Sequence, residues 1–271
     1  MEEIVKVSIC IITYNQEQYI ENAIKGALEQ KTNFPFEIVI SDDRSTDSTP
    51  EICKKYAEQY PGAIRFIHQE QNLGTGKHWV SALQACRGKY VALCEGDDYF
   101  ICEAKIQRQF DFMERSTEYS LCSHEAFVQH ELLRKTVRGA VGIWYDNLRL
   151  SGLKAVRALA YAAVFDRNEF WRRRRMYRGN KRHSEAGFAE ILAAQFGSRY
   201  IHTVSMFAHT ELVKKFPIEF LQVAGFHRAV IIWLALFGKV KHFPDAMSRR
   251  VIQPCSSAVT KREKILFSKK I

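Results

Sequence analysis

The first 128 residues alternate between short apolar runs and longer amphipathic stretches. Strands that are covered on both faces are mostly apolar instead of alternating with polar residues, so each apolar run predicts a buried strand. The four predicted strands span residues 7–12, 36–40, 64–67 and 90–94. The stretches between them place apolar residues three and four positions apart, which predicts helices. Strands that alternate with helices form βαβ units, so the sequence predicts an α/β fold with a mostly parallel central sheet flanked by helices.

Two helix starts are indicated by particular residues. Apolar positions from Tyr19 to Leu28 predict an amphipathic helix over about residues 17–30. In the stretch after the second strand, Thr49 is predicted as the N-cap and Pro50 as the first helical residue.

After this first domain, which we place at residues 1–128, the pattern weakens. Residues 187–196 and 217–223 have helical periodicity, whereas residues 229–237 are all apolar, and periodicity does not assign them. No linker rich in Pro, Gly or Ser separates the two halves. We therefore expect residues 129–271 to form a mainly helical region that packs on the first domain.

Polar loops follow the first, second and fourth predicted strands. The carboxyl ends of parallel strands lie at one edge of a sheet, and ligands bind outside that edge. We therefore expect these loops to lie close together. They contain the turn Thr13-Tyr14-Asn15, the pair Asp42-Asp43 and the acidic turn Glu95-Gly96-Asp97-Asp98.

The acidic turn has three carboxylates in four residues, those of Glu95, Asp97 and Asp98. Carboxylates this close repel one another, so they need either exposure to water or a bound cation. One or two carboxylates together with substrate phosphate oxygens commonly hold Mg²⁺ or Mn²⁺. A solvated acidic turn without a ligand is the alternative interpretation, and the sequence leaves both open.

Two other segments offer groups that bind anions. The turn Thr13-Tyr14-Asn15 joins a strand to a helix, where backbone N–H groups favour a phosphate or a polar base edge. Residues 72–77 contain two glycines and Lys77, so the backbone can approach a ligand closely beside one mobile cation. Their spacing matches neither a Walker loop nor a dinucleotide-binding motif. Lys77 is equally well interpreted as a surface lysine at a helix start.

The composition is that of a globular protein. Of the 271 residues, 46% are hydrophobic and 26% are charged, which excludes a disordered chain or a fibre. The run at residues 229–237 is about half of the length that spans a bilayer. The first residues, Met1-Glu2-Glu3, are acidic, unlike the start of a signal peptide. The seven cysteines include no CxxC pair, so we expect a cytoplasmic protein without a disulfide framework or a zinc site.

The net charge of +10 is unevenly distributed. Residues 1–128 contain 13 Lys and Arg against 20 Asp and Glu, and residues 129–271 contain 27 against 10. An acidic half suits a metal ion, and a basic half suits an anionic surface or substrate. A solvated basic face without a partner is the alternative. The sequence contains no helix-turn-helix, zinc-finger or ribonucleoprotein motif, so nucleic acid is not an expected partner.

Five ordered motifs within residues 5–124 resemble those of family 2 glycosyltransferases. They lie at residues 7–15, 42–49, 72–74, 88–90 and 95–99. The resemblance covers somewhat under half of the chain. It implies a GT-A fold, which has a Rossmann-like central sheet. It also implies the inverting transfer of a sugar from a nucleotide-sugar, usually a UDP-sugar, to an acceptor hydroxyl.

The same resemblance assigns nucleotide-binding residues. The turn Thr13-Tyr14-Asn15 matches the turn of the family's nucleotide pocket. Asp42 matches the carboxylate that meets the base, and Asp43 lies beside it. Lys77 lies in a loop that often helps to hold the nucleotide.

The acidic turn matches the DxD-like pair of the family. The resemblance implies that Asp98 is the direct ligand of a divalent metal, Mn²⁺ or Mg²⁺, and that Asp97 lies nearer the ribose and the metal shell. Such a cation and a lysine would stabilise the negative charge that develops on a nucleoside diphosphate leaving group.

The sequence departs from the family at the general base. Family members usually supply an Asp that takes the proton of the acceptor hydroxyl. Counting back from Gly238 places His227 at that position, and no acidic residue lies between Glu219 and Asp245. A neutral imidazole accepts a proton near pH 7, so His227 is the candidate catalytic base, with a packing histidine as the alternative. Arg250 keeps part of a family pattern and either reaches the diphosphate or is a surface arginine.

Two functions from different classes follow. The first is a glycosyltransferase of polysaccharide or glycolipid synthesis in the cell envelope, whose acceptor is a glycan or is linked to a lipid. Its basic half would contact the anionic inner face of the cytoplasmic membrane. The second is a module that binds a nucleotide-sugar or a glycan without turnover. A nucleotidyltransferase would have a basic glycine-rich motif near the N-terminus, and none is present. Residues 131–184 match no part of the family and are assigned to acceptor recognition.

Overall fold

The structure, a computed structural model, describes residues 4–130, 185–186, 201–218 and 226–253. The strands in these ranges are β1 Val7–Thr13, β2 Phe36–Asp42, β3 Ile64–His68, β4 Tyr90–Glu95, β5 Tyr99–Phe100, β6 Tyr119–His130, β7 Glu185–Ala186, β8 Phe207–His209 and β9 Lys239–Ile252. The helices are α1 Ile20–Leu28, α2 Thr49–Gln59, α3 Thr75–Gln84, α4 Lys105–Arg115, α5 Thr210–Lys214 and α6 Phe226–Ala235, and a short 3₁₀ helix spans Thr203–Ser205.

The strands form a central sheet in the order β3-β2-β1-β4-β8-β6-β9-β5, and β7 pairs with β9. The first four strands of this order are parallel to one another, which confirms the predicted α/β arrangement. Strand β8 runs antiparallel to β4 and β6, and β5 and β7 run antiparallel to β9. The described residues of the C-terminal half thus add strands that the sequence analysis did not assign.

Helices cover both faces of the sheet. In β1, Val7, Ile9 and Ile11 pack in a core with residues of α1, α2 and α4. The alternate residues Cys10 and Ile12 pack in a second core with residues of α3 and α6. All five are buried. This two-sided burial is the reason that residues 9–12 of the strand are all apolar.

The observed starts of two helices differ from the prediction. Helix α1 begins at Ile20, inside the predicted range 17–30. Helix α2 begins at Thr49, and Ser48 precedes it, so the prediction of Thr49 as N-cap was wrong. The hydroxyl of Thr49 instead accepts a hydrogen bond from the backbone N–H of Gln16 at 2.9 Å. It therefore joins α2 to the turn after β1, a contact between distant residues that local sequence does not indicate.

The apolar run at residues 229–237, which the sequence left unassigned, lies mostly in α6. The predicted helix at 187–196 lies outside the described residues, as does most of the one at 217–223. No helix in the described part of the chain is both long enough and apolar enough to cross a membrane.

The chain divides into two compact units. One comprises residues 1–126 and 184–249, and the other comprises residues 127–183 and 250–271. The described residues up to 249 of the C-terminal half therefore belong to the same unit as the parallel part of the sheet. The domain boundary that we placed after residue 128 stays a prediction.

At the amino end of the parallel strands, a buried carboxylate joins several elements. Glu37 of β2 is 4% exposed. Its carboxylate accepts hydrogen bonds from Ser8 Oγ at 2.7 Å and from the Arg87 N–H at 2.7 Å, and it pairs with the guanidinium groups of Arg87 and Arg65 at 3.0 and 3.3 Å. Burial raises the pKa of Glu37, but these hydrogen bonds and charges outweigh burial and lower it.

Candidate functional site

The carboxyl ends of β1, β2 and β4 lie side by side. Thr13 at the end of β1 is in register with Asp42 at the end of β2, and Ile12 is in register with Glu95 at the end of β4. The loops that follow these strands therefore meet, as the sequence predicted. We call this edge the loop edge, and it comprises residues 13–16, 42–46, 72–77 and 95–98.

Within the loop edge, the acidic turn packs directly on the turn after β1. The backbone N–H of Gly96 donates to the carbonyl oxygen of Ile12 at 2.8 Å. A Cβ atom on Gly96 would lie 2.5 Å from Gln16 Oε1 and 2.8 Å from Thr13 Oγ1. The contact therefore requires a glycine, and it holds the carboxylates next to the turn Thr13-Tyr14-Asn15.

The turn after β1 is also bonded to the loop after β2. Asn15 and Arg44 adopt left-handed backbone conformations, with φ of +52° and +65°, which are unfavourable for residues other than glycine. The N–H of Asn15 donates to Ser45 Oγ at 2.8 Å, and Asn15 Oδ1 accepts from the N–H of Thr46 at 2.8 Å. These bonds hold the two turns together, while Tyr14 stays 47% exposed.

Asp42 has no exposed surface. Its carboxylate accepts hydrogen bonds from the hydroxyl of Ser45 and from the Ser45 N–H, the latter at 3.0 Å. His68 Nδ1 lies 2.8 Å from the same carboxylate, and His68 Nε2 lies 3.2 Å from Arg44 Nη1. The contacts of Asp42 are thus internal and fix the loop after β2. Its role as the carboxylate that meets the base stays a prediction.

Asp43, which is 2% exposed, joins the loop before α3 to the edge. Its two carboxylate oxygens accept the N–H groups of Leu73 and Gly74 at 2.8 and 3.0 Å. Its carbonyl oxygen accepts from Asn72 Nδ2 at 2.9 Å. Lys77 follows in the first turn of α3 and is exposed. The structure therefore joins Asp43 to the loop that leads into α3, the helix that contains Lys77.

The acidic turn is tight. The N–H of Asp98 donates to the carbonyl oxygen of Glu95 at 2.9 Å, and Cys94 Sγ donates to the carbonyl oxygen of Asp98 at 3.4 Å. Glu95 and Asp97 are half-buried, and Asp98 is 1% exposed. The turn thus holds three carboxylates on one short loop, with Glu95 and Asp97 nearer to solvent than Asp98.

The chemistry of the acidic turn fits a divalent cation. Among the described residues, no three His, Cys, Asp or Glu side chains are arranged to hold a metal by themselves. The turn supplies only oxygen ligands, which Mg²⁺ and Mn²⁺ prefer, and Mg²⁺ usually binds through one or two carboxylates together with phosphate oxygens. Because Gly96 has no side chain, the acidic turn packs against Thr13, and this packing keeps the carboxylates beside the rest of the loop edge. A cation here would share its ligand shell with the phosphates of a bound molecule.

His227 is half-buried in the first turn of α6. The ring of its neighbour Phe226 stacks on Trp79 of α3, with the ring centroids 5.3 Å apart. The first turn of α6 therefore lies beside the helix that begins in the loop edge. The assignment of His227 as a base stays a prediction. Arg250, in β9, belongs to the second compact unit, and its role towards a diphosphate also stays a prediction.

The sequence analysis missed polar residues beneath the loop edge. His78 is 1% exposed, and its Nε2 lies 2.8 Å from Ser41 Oγ, which also accepts from Gln69 Nε2 at 3.1 Å. Burial lowers the pKa of His78, against the opposing effect of the charges of Asp43 and Asp42. These residues come from β2, the segment after β3 and α3, and no motif joins them. The only hint in the sequence is the polar Ser41 at the end of an apolar strand.

Comparisons with known proteins agree with this architecture. The family model described as glycosyl transferase family 2 matches residues 8–189. Rv1520 of Mycobacterium tuberculosis is 43% identical over 149 residues, which are 55% of this chain and 43% of that protein. TuaG of Bacillus subtilis, named as a glycosyltransferase of teichuronic acid biosynthesis, is 32% identical over 52% of this chain and 56% of its own length. The chain thus spans about half of the length of these relatives.

Solved structures share the fold. The structure of Staphylococcus aureus TarS residues 1–349 in complex with UDP has a TM-score of 0.59 and 19% identity, over 92% of this chain and 61% of that chain. The mannosyltransferase PcManGT from Pyrobaculum calidifontis, in complex with GDP-Man and Mn²⁺, has a TM-score of 0.58 and 17% identity, over 95% of this chain and 58% of that chain. These similarities show the predicted GT-A fold. Because the family model also covers more than half of the chain, the protein belongs to glycosyl transferase family 2.

Proposed function

We propose that the protein transfers a sugar from a nucleotide-sugar to the hydroxyl group of an acceptor, with inversion at the anomeric carbon and with the help of a divalent cation. The observation that carries this proposal is the direct packing of the acidic turn on the turn after β1. The N–H of Gly96 donates to Ile12 at 2.8 Å, and no Cβ would fit between the two turns. This contact would place a cation next to the segment proposed to bind the nucleotide.

UDP is the proposed nucleotide. The structural neighbour TarS was solved with UDP and with UDP-GlcNAc. In this protein, the exposed ring of Tyr14 suits contact with a nucleobase. Thr13 and Asn15 flank it, and Asp42 and Asp43 hold the adjoining loops. We propose these five residues as the nucleotide-binding set.

Asp97 and Asp98 are the proposed ligands of the cation, Mn²⁺ or Mg²⁺. When bound, the cation would stabilise the negative charge of the diphosphate as it leaves the sugar. Lys77, exposed in the first turn of α3, and Arg250 are proposed to add positive charge around the same group. The neighbour PcManGT was solved with Mn²⁺ and GDP-Man, which supports a cation in this fold.

His227 is the proposed general base. As the acceptor oxygen attacks the anomeric carbon, its proton has to move to a nearby acceptor, and a neutral imidazole takes a proton near pH 7. Two placements support this role. His227 lies in the first turn of α6, and its neighbour Phe226 stacks on Trp79 of α3, the helix that starts at the loop edge.

A glycan or a lipid-linked sugar is the proposed acceptor, and we propose that the basic residues of 129–271 contact an anionic membrane surface at its cytoplasmic face. The excess of 27 Lys and Arg over 10 Asp and Glu supports this contact. Sedimentation with anionic vesicles and release by salt is the expected result. Equal binding to neutral and anionic vesicles would refute the membrane contact.

The direct test of the transferase proposal has two steps. First, the melting temperature is measured with nucleoside diphosphates, with and without Mn²⁺, because a ligand that binds only the folded protein raises it. We expect UDP to raise the melting temperature in a Mn²⁺-dependent manner. Second, UDP-sugars are assayed for sugar release and for transfer to glycan acceptors. Neither stabilisation by any nucleotide nor sugar release would contradict the proposal.

A module that binds a nucleotide-sugar without turnover is the second candidate function. One observation favours it, namely that His227 stands where family members usually have an Asp. In that case Mn²⁺ and UDP would stabilise the protein, and no donor would be turned over. The two-step test therefore separates the two functions.

A further inference from the structure

Lys105, the first residue of α4, is fully buried. Among the described residues, its Nζ atom has no hydrogen-bond partner. Lysine side chains are almost never buried completely unless they are paired. An ammonium group in this setting loses its hydration without a compensating hydrogen bond, so it lowers the stability of the fold.

The surroundings of the ammonium are apolar or weakly polar. Nζ lies 4.0 Å from the centroid of the Phe100 ring, which is a cation–π geometry. The groups that favour its charge are thiols, first that of Cys94 and then that of Cys122. Burial outweighs them and lowers the pKa of Lys105 to about 7. The charge of Lys105 adds to burial in lowering the pKa of the nearby His124.

Two of these neighbours lie at the two ends of the acidic turn. Cys94 precedes the turn, and its Sγ donates to the carbonyl oxygen of Asp98 at 3.4 Å. Phe100 follows the turn in β5, and its backbone packs on α1, where a Cβ on Gly26 would lie 2.6 Å from the Phe100 carbonyl oxygen. Lys105 therefore contacts the segment that leaves the turn, through the Phe100 ring, while Cys94 ties the segment that enters the turn to Asp98.

The charges of Lys105 and of the acidic turn act on the same thiol. Burial and the charge of Asp98 raise the pKa of Cys94, whereas the charge of Lys105 lowers it. Asp98 and Lys105 thus have opposite effects on the pKa of the same buried thiol.

A methionine would fill nearly the same volume without a buried amine. Replacing a buried charged group with an apolar one of similar size is often neutral or stabilising. Natural sequences violate such local rules mainly at functional sites.

We propose that Lys105 is a positioning residue for the acidic turn. Its buried side chain, with Nζ 4.0 Å from the centroid of the Phe100 ring, fixes Phe100 and with it the end of the turn, in the arrangement that binds a divalent cation and a diphosphate. This inference rests on the proposed function, because it assumes that the turn binds Mn²⁺ together with UDP.

The test compares the whole chain with two variants, Lys105→Met and the matched control Gln109→Met. Gln109 is also fully buried on α4, one turn further along, and its Nε2 donates to the carbonyl oxygen of Ser205 at 3.0 Å. The measurements are the dissociation constant of UDP in Mn²⁺ and in EDTA, and urea unfolding at pH 7.

Lys105→Met is expected to be at least as stable as the wild type. Its affinity for UDP in Mn²⁺ should fall by about tenfold or more, because small displacements of binding groups have large effects, while its affinity in EDTA should not change. Gln109→Met is expected to lose stability and to keep both affinities. An unchanged affinity of Lys105→Met in Mn²⁺, or an equal loss in Mn²⁺ and EDTA, would overturn the inference.

If Lys105→Met does not fold, the variant Phe100→Leu tests the same positioning role. It removes the ring that Nζ faces and should show the same selective loss of affinity in Mn²⁺. If the wild type binds UDP without any dependence on Mn²⁺, the proposed function and this inference both fail. If the wild type depends on Mn²⁺ and the folded variants keep its affinity, only this inference fails.

Discussion

Gly96 is the residue on which the contact between the acidic turn and the turn after β1 depends. A Cβ at this position would lie 2.5 Å from Gln16 Oε1 and 2.8 Å from Thr13 Oγ1. The Gln16 side chain can rotate away, but Thr13 is 2% exposed, so the acidic turn itself has to shift. We expect Gly96→Ala to weaken the Mn²⁺-dependent binding of UDP by about tenfold or more, as measured by calorimetric titration.

Gly62→Ala is the matched control for this prediction. Gly62 lies between α2 and β3, and nothing lies within 4 Å of an added Cβ there. Its affinity for UDP should equal that of the wild type. A Gly96→Ala protein that binds UDP like Gly62→Ala would show that the two turns need not touch.

His227 is predicted to act on the chemical step alone. Replacing it by Asn removes the proton acceptor, so the rate of donor turnover should fall by about 10²- to 10⁴-fold, while the affinity for UDP stays unchanged. The turnover assay uses the nucleotide-sugar that the donor screen identifies.

His209→Asn controls for the loss of a histidine elsewhere. His209 pairs with Tyr90 at the amino end of β4, on the opposite edge of the sheet from the loop edge, and its variant should turn over like the wild type. Wild-type turnover in His227→Asn would remove His227 from the mechanism.

The buried amine of Lys105 is expected to make the free energy of unfolding of the protein depend on pH. Its folded pKa of about 7 lies below the ordinary value of 10.5, because burial disfavours the charged form. Below pH 7 the amine is protonated in both the folded and the unfolded chain, so its destabilising effect is fully present. Above pH 7 only the unfolded chain keeps the proton, and the effect decreases as the pH rises towards 10.5.

The stability advantage of Lys105→Met over the wild type should therefore be constant below pH 7 and decrease above it, by about 1.4 kcal/mol per pH unit. Urea unfolding of both proteins on either side of pH 7 measures it. The buried thiols of Cys94 and Cys122 and the imidazole of His124 are present in both proteins, so their titration largely cancels in the difference. An advantage that does not change with pH would mean that the amine keeps its ordinary pKa.

Some properties of single residues could be predicted from the sequence, and others could not. Asp97 and Asp98 were found because they directly follow an apolar strand. The burial of Asp42 was not predicted, because His68, which lies 2.8 Å from its carboxylate, comes close only when β2 and β3 pair. Lys105 was missed because a lysine at the start of an amphipathic helix ordinarily faces water.

At the scale of elements, Glu37 is predicted to hold the amino ends of the parallel strands together. Glu37→Gln removes a carboxylate that is paired with Arg87 and Arg65, and should lower the free energy of unfolding by about 1–3 kcal/mol at pH 7. The folded pKa of Glu37 is lowered from 4.5, so its stabilising effect is present above pH 4.5 and is lost as the pH falls through the folded value. The difference in the free energy of unfolding between Glu37→Gln and the wild type should therefore disappear at acidic pH.

Glu58→Gln is the control at the same scale. Glu58 is exposed and lies 4.0 Å from Lys54 on the surface of α2, and such pairs contribute only about 0.3–0.5 kcal/mol. Urea unfolding of both variants between neutral and acidic pH makes the comparison. Equal stabilities of Glu37→Gln and Glu58→Gln at pH 7 would contradict the role of the buried carboxylate.

The elements up to β4 were predicted from their periodicity, whereas α4, β6 and β9 were not assigned. The four parallel strands were found because both of their faces are covered. Strand β9, Lys239–Ile252, was missed because it contains Pro244 and several charged residues and so lacks an apolar run. Helix α6 was left unassigned because its apolar residues extend around the helix, so its sequence has no polar face to mark its period.

At the scale of the whole molecule, the family and the fold are established, and the reaction is proposed. The chain spans about half of the length of the curated relatives that it matches, so the activity of a complete relative bears on it only as a proposal. The distribution of charge is the basis for two proposed partners, a cation at the acidic first half and an anionic surface at the basic second half.

Calorimetric titration of UDP in Mn²⁺ and in EDTA tests the central claim most directly, with the wild type compared with an Asp97→Asn and Asp98→Asn double variant. The account predicts that Mn²⁺ strengthens UDP binding to the wild type and has no such effect on the double variant, whose melting temperature stays close to that of the wild type. Uridine, which lacks the diphosphate, should bind without any dependence on Mn²⁺. Equal UDP affinity with and without Mn²⁺, or wild-type affinity in the double variant, would contradict it.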